Sequence, residues 1–268
     1  MSGTDQSASS LFRAGKLEDA LAAANAALRK APTDLGARVL LGELLIFAGN
    51  LERADVVLDA ASTIDPSTAM VVAEFRQLIR ADMARRQLFR DGRVPEFLGD
   101  PTEAQRLQLA ALVALRAGDL AEAANQAAAA EAARPRAAGF HNDVAIDDFR
   151  DVDDLLAGSF EVLTTTGKYF WIPTERIISV EFHAPKRPRD LFWRRASMSV
   201  DQGPDGDVYV PTIYAGDETM TELERLGRET DWRQGEGGPV RGVGQRVFLA
   251  GEDDVAVMEL GTLRFAAE

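Results

Sequence analysis

Small and apolar residues recur along the first half of this chain with a period near 34. The stretch Ala14–Ala20 (AGKLEDA) returns as Ala48–Ala54 (AGNLERA) and as Ala117–Ala123 (AGDLAEA). Gly15 and Gly49 stand 34 residues apart, and Gly49 and Gly118 stand 69 apart. Matching positions carry matching residues. Gly15, Leu17, Ala20, Ala24, Ala27 and Pro32 correspond to Gly49, Leu51, Ala54, Leu58, Ala61 and Pro66. They correspond again to Gly118, Leu120, Ala123, Ala127, Ala130 and Pro135. Steps of three and four predict helices. The glycine allows a tight turn between two helices, the alanines allow close approach, and the proline ends the unit. A preceding helix is predicted from Leu41, Gly42 and Leu45, and more loosely from Leu107, Ala110, Ala111 and Ala114. Such units bury their apolar faces only against their neighbours and so form a stack.

The interval Ser67–Asp100 is long enough for one more helix pair. Met70, Val71, Phe75, Leu78, Ile79 and Met83 have helical spacing, and Gly92 and Pro95 then break the pattern. Arg80, Arg85, Arg86, Arg90 and Arg93 add a basic stripe, read as a solvated face. Asp100-Pro101-Thr102-Glu103 reads as a helix start. The repeat resembles the tetratricopeptide repeat. By that likeness the first helices line a concave groove, which places Val39, Glu43, Ile46 and Phe47 there with Gln105, Gln108, Leu112 and Arg116. A groove of mixed polarity suits an extended peptide or an amphipathic helix. The same side chains could instead pack against the second half.

From Phe140 the period changes from helical to alternating. Phe160–Thr165 and Lys168–Ile172 flank Thr166-Gly167 and predict a hairpin. Ile177–Phe182 alternates, and Val208–Tyr214 is β-rich with Pro211 suggesting an edge or a bulge. Arg246–Ala250 and Val255–Leu260 surround a turn at Gly251–Asp254. The expected fold is therefore α+β in two parts: tetratricopeptide-like helical repeats over 1–139, and a β-rich, barrel-like or curled-sheet domain over 159–268. Residues 140–158, holding Asp143, Asp147, Asp148, Asp151, Asp153 and Asp154, read as an acidic connector with a short helix at about 148–157.

Charge sharpens this division. The net charge of −13 is uneven: residues 1–139 carry 16 Lys+Arg and 18 Asp+Glu, whereas 140–268 carry 14 and 25. The acidic second half opposes nucleic acid and anionic lipid and favours a protein partner. The chain has no cysteine, so disulfides, thiolate nucleophiles and Cys-held metals are excluded. MSGTDQSASS lacks the basic and apolar parts of a signal peptide, and no apolar run reaches membrane-spanning length, so a cytoplasmic location is expected.

Catalytic signatures do not emerge. There are two histidines, His141 and His183, and neither G-x-S-x-G nor H-E-x-x-H occurs. The acidic run lacks the glycine and spacing of a calcium loop, so no metal is expected. Gly235–Gly244 (GEGGPVRGVG) misses both phosphate-loop patterns and reads as a mobile loop. The expectation is a protein without enzymatic activity and without a cofactor. In Pro185–Ala196 (PKRPRDLFWRRA) five basic residues stand beside Phe192 and Trp193. Their preferred role is pairing with the acidic connector to fix the two halves together. A second functional reading makes the β-rich half a ligand-sensing module, with Trp171 and Trp193 as aromatic walls beside Arg189, Asp190 and Arg194. A third, a hydrolase built on carboxylates, needs a paired set that abundance alone does not supply.

Several ordered motifs carry a family resemblance. They are Tyr169–Pro173 (YFWIP), Arg187–Ala196 (RPRDLFWRRA), Val210–Tyr214 (VPTIY), Leu226–Trp232 (LGRETDW) and Arg241–Arg246 (RGVGQR). Together with the repeats in front, they resemble the ImpE family, also called TagJ or SciE. The resemblance implies a bacterial cytosolic accessory protein of the type VI secretion system. It implies association with the small sheath subunit and with a ClpV-type AAA+ ATPase, as an adaptor in sheath recognition or disassembly. It brings no catalytic residues with it.

Overall fold

The computed structural model describes residues 7–216 and 219–265. The first six residues of the stretch read for a leader, Met1–Gln6, lie outside the described residues.

The helical repeat is realised as antiparallel pairs. These are α1 (Ala8–Arg13) with α2 (Leu17–Lys30), α3 (Leu35–Phe47) with α4 (Leu51–Ile64), and α6 (Glu103–Arg116) with α7 (Leu120–Ala133). At each turn the recurring glycine has the same left-handed backbone: φ is 81° at Gly15, 80° at Gly49 and 81° at Gly118. The amide beyond it reaches back to close the helix, from Lys16 to Leu11 O, Asn50 to Leu45 O and Asp119 to Ala114 O, each within 2.9–3.0 Å. Asn50 and Asp119 then cap the next helix through their side chains. The recurring alanines Ala20, Ala54 and Ala123 are fully buried, so two helix backbones meet at each of them.

Between the second and third pairs stands a single 23-residue helix, α5 (Ala69–Asp91), where the interval had room for a helix pair. Gly92, at φ 81°, stops it. The following segment runs extended and joins the sheet: Glu96 pairs in parallel with Phe170, through Glu96 N to Tyr169 O at 2.9 Å and Trp171 N to Glu96 O at 3.0 Å. This covers an edge that would otherwise expose unpaired backbone. At α6 the cap is Thr102, in a reciprocal box with Gln105, and Pro101 lies before the cap rather than in the first turn.

The second half is an open, curled antiparallel sheet. Its strands are β1 (Gly139–His141), β2 (Val144–Ile146), β4 (Ser159–Leu163), β5 (Tyr169–Pro173), β6 (Ile177–Phe182), β7 (Trp193–Val200), β8 (Gly206–Pro211) and β13 (Thr262–Phe265). They lie in the order β2-β1-β13-β6-β7-β8-β4-β5. β3 (Phe149–Asp151), β11 (Val247–Ala250) and β12 (Asp253–Ala256) form a second, three-stranded sheet, and β9 (Thr230–Arg233) pairs with β10 (Arg241–Gly244). The expected hairpin is β4–β5, with Gly167 at φ 82° in its turn. Pro211 ends a central strand that pairs with both β7 and β4, so it marks neither an edge nor a bulge.

Two expectations are corrected. Residues 139–151 are strand-rich, with β1 pairing β13 and β3 pairing β11, and no α-helix forms at 148–157. The glycine-rich stretch is not loop throughout: its last four residues, Arg241–Gly244, are the strand β10, held in register by β9.

Strand alternation makes the large sheet the middle of three layers. Phe160, Val162, Ile172, Ala196, Met198 and Val210 face the small sheet and pack with Phe149 and Phe248. The opposite residues Tyr169, Trp171, Trp193 and Tyr209 face the helices and share one core with Leu44, Phe47, Phe75 and Leu78. The two halves of the sequence are thus bonded through a common interior.

Candidate functional site: the helix–sheet interface and its cleft

The helix-facing side of the sheet carries charge as well as aromatic rings. Alternation along β4 turns Glu161 toward the helices, between Phe160 and Val162 on the other face. Arg85 of α5 meets it in a bidentate pair, with Nε to Oε1 at 2.7 Å and Nη2 to Oε2 at 3.0 Å. The same Nη2 donates to Ile213 O at 3.0 Å. Tyr169 donates its hydroxyl to Glu161, and Trp171 Nε1 donates to the Tyr169 oxygen at 2.6 Å. Arg246 reaches Glu161 Oε2 at 3.2 Å and binds Asp151 Oδ2 through Nη2 at 2.6 Å. Tyr214 donates to the other Asp151 oxygen at 2.8 Å. Burial alone would raise the Glu161 carboxyl, but the Arg85 and Arg246 charges outweigh it and hold its pKa at about 2.

Sequence reasoning misses this network. The basic stripe puts Arg85 in solvent, yet it is buried; the apolar Leu78, Ile79 and Ala81 on the preceding turns are the available signal. The acidic run reads as a connector, yet Asp151 and Asp153 are buried anchors. Asp153 receives Arg241 Nε at 2.9 Å and the Gly242 and Leu155 amides at 3.0 and 2.9 Å. Asp148 pairs with Arg134 at the end of the last repeat. Among the described residues the ion-pair partners of the acidic run are Arg246, Arg241, Arg134, Arg136 and Arg264, not the basic residues of 185–196 as expected. In that segment Arg194 donates to Val257 O and His183 O, and Arg195 pairs with Asp207.

Most of the residues mapped to the groove meet the protein's own sheet. Gln105 donates from Nε2 to Trp171 O at 3.2 Å, and Gln108 Oε1 accepts from Ser159 Oγ at 2.7 Å. Leu112 and Phe47 are buried, with the Phe47 ring edge-on to Phe192 at 5.2 Å. Glu43 is buried beside Arg189, and burial raises its pKa to about 7 against the opposing pull of Arg189. Val39 is half-buried and Arg116 is exposed, with Nη1 on Leu88 O at 3.0 Å. In the second half, Trp171 and Trp193 are wholly interior and are not among the residues lining the cleft at this interface. Arg189 lies over Phe75 at 4.6 Å from its centroid, and Asp190 Oδ2 accepts the Lys186 amide at 2.8 Å.

Where helices and sheet part, a cleft of about 1280 Å³ opens. One wall is the α3–α4 turn around Gly49, the last turns of α5, and Leu115 and Leu120 of the third pair. The other wall is built from residues of 213–216, 219–225 and 233–243, with Tyr214 and Val243 at its base. Gly242 is required there, because a β-carbon would stand 2.2 Å from the Tyr214 ring. The short helix α8 (Glu222–Arg225) clamps the far end: Glu222 Oε1 accepts the Glu18 amide at 2.7 Å, and Arg228 donates to Phe12 O at 2.7 Å. Among the described residues no group of acids and histidines could hold a metal ion, and no helix is long and apolar enough to cross a membrane.

A tetratricopeptide stack fused through a charged interior to an open curled sheet, with a cleft at the junction, defines a repeat-scaffold class of protein. The comparisons place it more closely. Residues 143–264 match the family described as ImpE protein, and residues 11–73 match the tetratricopeptide repeat. The chain is 32% identical to the type VI secretion system accessory component TagJ of Pseudomonas aeruginosa, over 96% of this chain and 90% of that protein. A crystal structure of a Vibrio parahaemolyticus protein superposes with a TM-score of 0.92 at 26% identity, covering 97% of this chain and 98% of the other. This chain belongs to the ImpE family.

Proposed function

We propose that this chain is a non-enzymatic adaptor of a bacterial type VI secretion system, working in the cytoplasm. In this reading it binds the small contractile-sheath subunit, the ClpV-type AAA+ ATPase, or both, and assists sheath recognition or recycling. The observation that carries the reading is the near full-length relation to a type VI accessory component. It is supported by a repeat scaffold, a class whose usual work is to present a surface to another protein.

Of the residues expected to meet a partner, Phe47 lines the cleft, and Val39 and Arg116 remain within reach of solvent. Glu43, Gln105, Gln108 and Leu112 would act indirectly, by holding the helices in register with the sheet. Calorimetric titration with the purified small sheath subunit and, separately, with the ATPase tests the proposal. Saturable binding of either, with a Kd in the micromolar range or tighter, is expected, about −8 kcal/mol or more. Absence of binding to both sinks the adaptor reading.

A further inference from the structure

The cleft is unusual in its charge. Among the described residues six arginines line it and one acid, Glu52, in a chain whose net charge is −13. Four of the six are committed: Arg85 to Glu161, Arg90 to Asp91, and Arg225 and Arg233 to partners of their own. Arg86 and Arg241 are different. Each is held from behind by a buried acid and keeps donors facing the opening. Arg86 places Nε on Asp82 Oδ2 at 3.0 Å and Nη1 on Gly49 O at 2.9 Å, and its Nη2 makes no hydrogen bond among the described residues. Arg241 places Nε on Asp153 Oδ2 at 2.9 Å, and its guanidinium lies 5.5 Å from the centre of the Phe89 ring. Neither Arg241 Nη atom makes a hydrogen bond among the described residues. A guanidinium fixed in this way has lost its rotamer freedom before any partner arrives, so a carboxylate pays little for docking on it.

Phe89 stands on the same face of α5 as Arg86, three residues on. With Leu115 and Leu120 it makes the helical wall of the cleft apolar, next to Val243 at the base and beside the two arginines. The volume exceeds the roughly 300–1,000 Å³ of ordinary small-ligand pockets. We propose that this cleft docks an acidic, amphipathic segment of a partner protein, with apolar side chains on Phe89, Leu115 and Leu120 and carboxylates on Arg86 and Arg241. The proposal rests on the adaptor reading and gives it a place and a chemistry.

The test uses the full chain and two synthetic amphipathic helical peptides with the same leucine face, one carrying glutamates on its flanks and one carrying lysines, followed by fluorescence anisotropy. The acidic peptide is expected to bind and the basic one not to. Arg86→Gln is expected to weaken the acidic peptide about tenfold, the scale of one charge-assisted hydrogen bond. Glu52→Arg, at an exposed position where folding is not at stake, is expected to tighten it severalfold. Equal binding of the two peptides, no binding of either, or no response to both substitutions overturns the proposal. So does displacement of the peptide by millimolar free glutamate, which would mark a small-anion receptor instead. These peptide results stand apart from the sheath and ATPase titrations, so failure of the cleft and failure of the adaptor reading are read separately.

Discussion

Glu161 and Glu43 are both buried carboxylates at the same interface, and their surroundings drive them in opposite directions. Glu161 accepts from Arg85 and Tyr169 and faces Arg246, so its charged form is the stable one. Replacing it by Gln leaves two buried guanidiniums short of a counter-charge. Glu161→Gln is expected to cost about 3–5 kcal/mol in a urea unfolding curve. Glu43 sits beside Arg189 with no hydrogen-bond partner for its Oε1 among the described residues, and burial dominates. Its folded-state pKa of about 7 lies above the ordinary value of 4.5, so the folded protein holds a proton that the unfolded chain releases. The stability this supplies is complete below about pH 4.5, declines as pH rises, and is gone above about pH 7. Glu43→Gln is expected to flatten that decline. The check is the difference in urea midpoint between variant and parent, measured at about pH 5 and again at about pH 8, on either side of the folded-state value.

At the scale of elements, the recurring glycine turn is the part most openly written in the sequence. Three glycines at equivalent positions have φ near 80°, and the amide–carbonyl closure repeats around each. Gly118 isolates the conformational term, because an added β-carbon there meets nothing within 4 Å. Gly118→Ala is therefore expected to cost about 1–2 kcal/mol from the left-handed backbone alone, read as a drop in thermal midpoint with an unchanged circular dichroism spectrum. Legibility falls where a pattern has two physical solutions. The apolar spacing of Phe75, Leu78 and Ile79 indicates a helix correctly, but not that one long helix replaces a pair. Nor can spacing show that Arg85, on the flank of that stripe, turns inward to Glu161, 76 positions away.

A shared interior makes the whole molecule one unfolding unit. Phe47, Phe75, Leu78 and Leu112 of the helices pack in one cluster with Trp171, Trp193, Tyr209 and Tyr214 of the second half. The division at 1–139 and 159–268 is therefore a division of the sequence, proposed as domains, across which the core is continuous. A fragment of residues 1–139 is expected to bind a hydrophobic dye and to lose its cooperative transition, while the full chain shows a single one. Two separate transitions in the full chain, or a fragment that melts cooperatively, would show that each half folds alone.

Local rules fixed much of this protein. Period, glycine turns, capping residues and strand alternation act over a few neighbouring residues, and so the helical stack, the β4–β5 hairpin and the strands β6, β8 and β11 were legible from one sequence. By contrast β7, which begins inside the basic segment, and the short strands at 139–151 were not, and the strand expected at 255–260 lies instead at Asp253–Ala256. The motifs of the second half, such as RPRDLFWRRA, were enough to suggest the family. What only the tertiary structure decided is which charges are interior. An aspartate in an acidic run reads the same whether it faces water or a buried arginine, since the partner is set by how the sheet curls and where α5 lies. The cleft, too, exists only because the helix turns and the 213–243 segment, far apart in sequence, approach without closing.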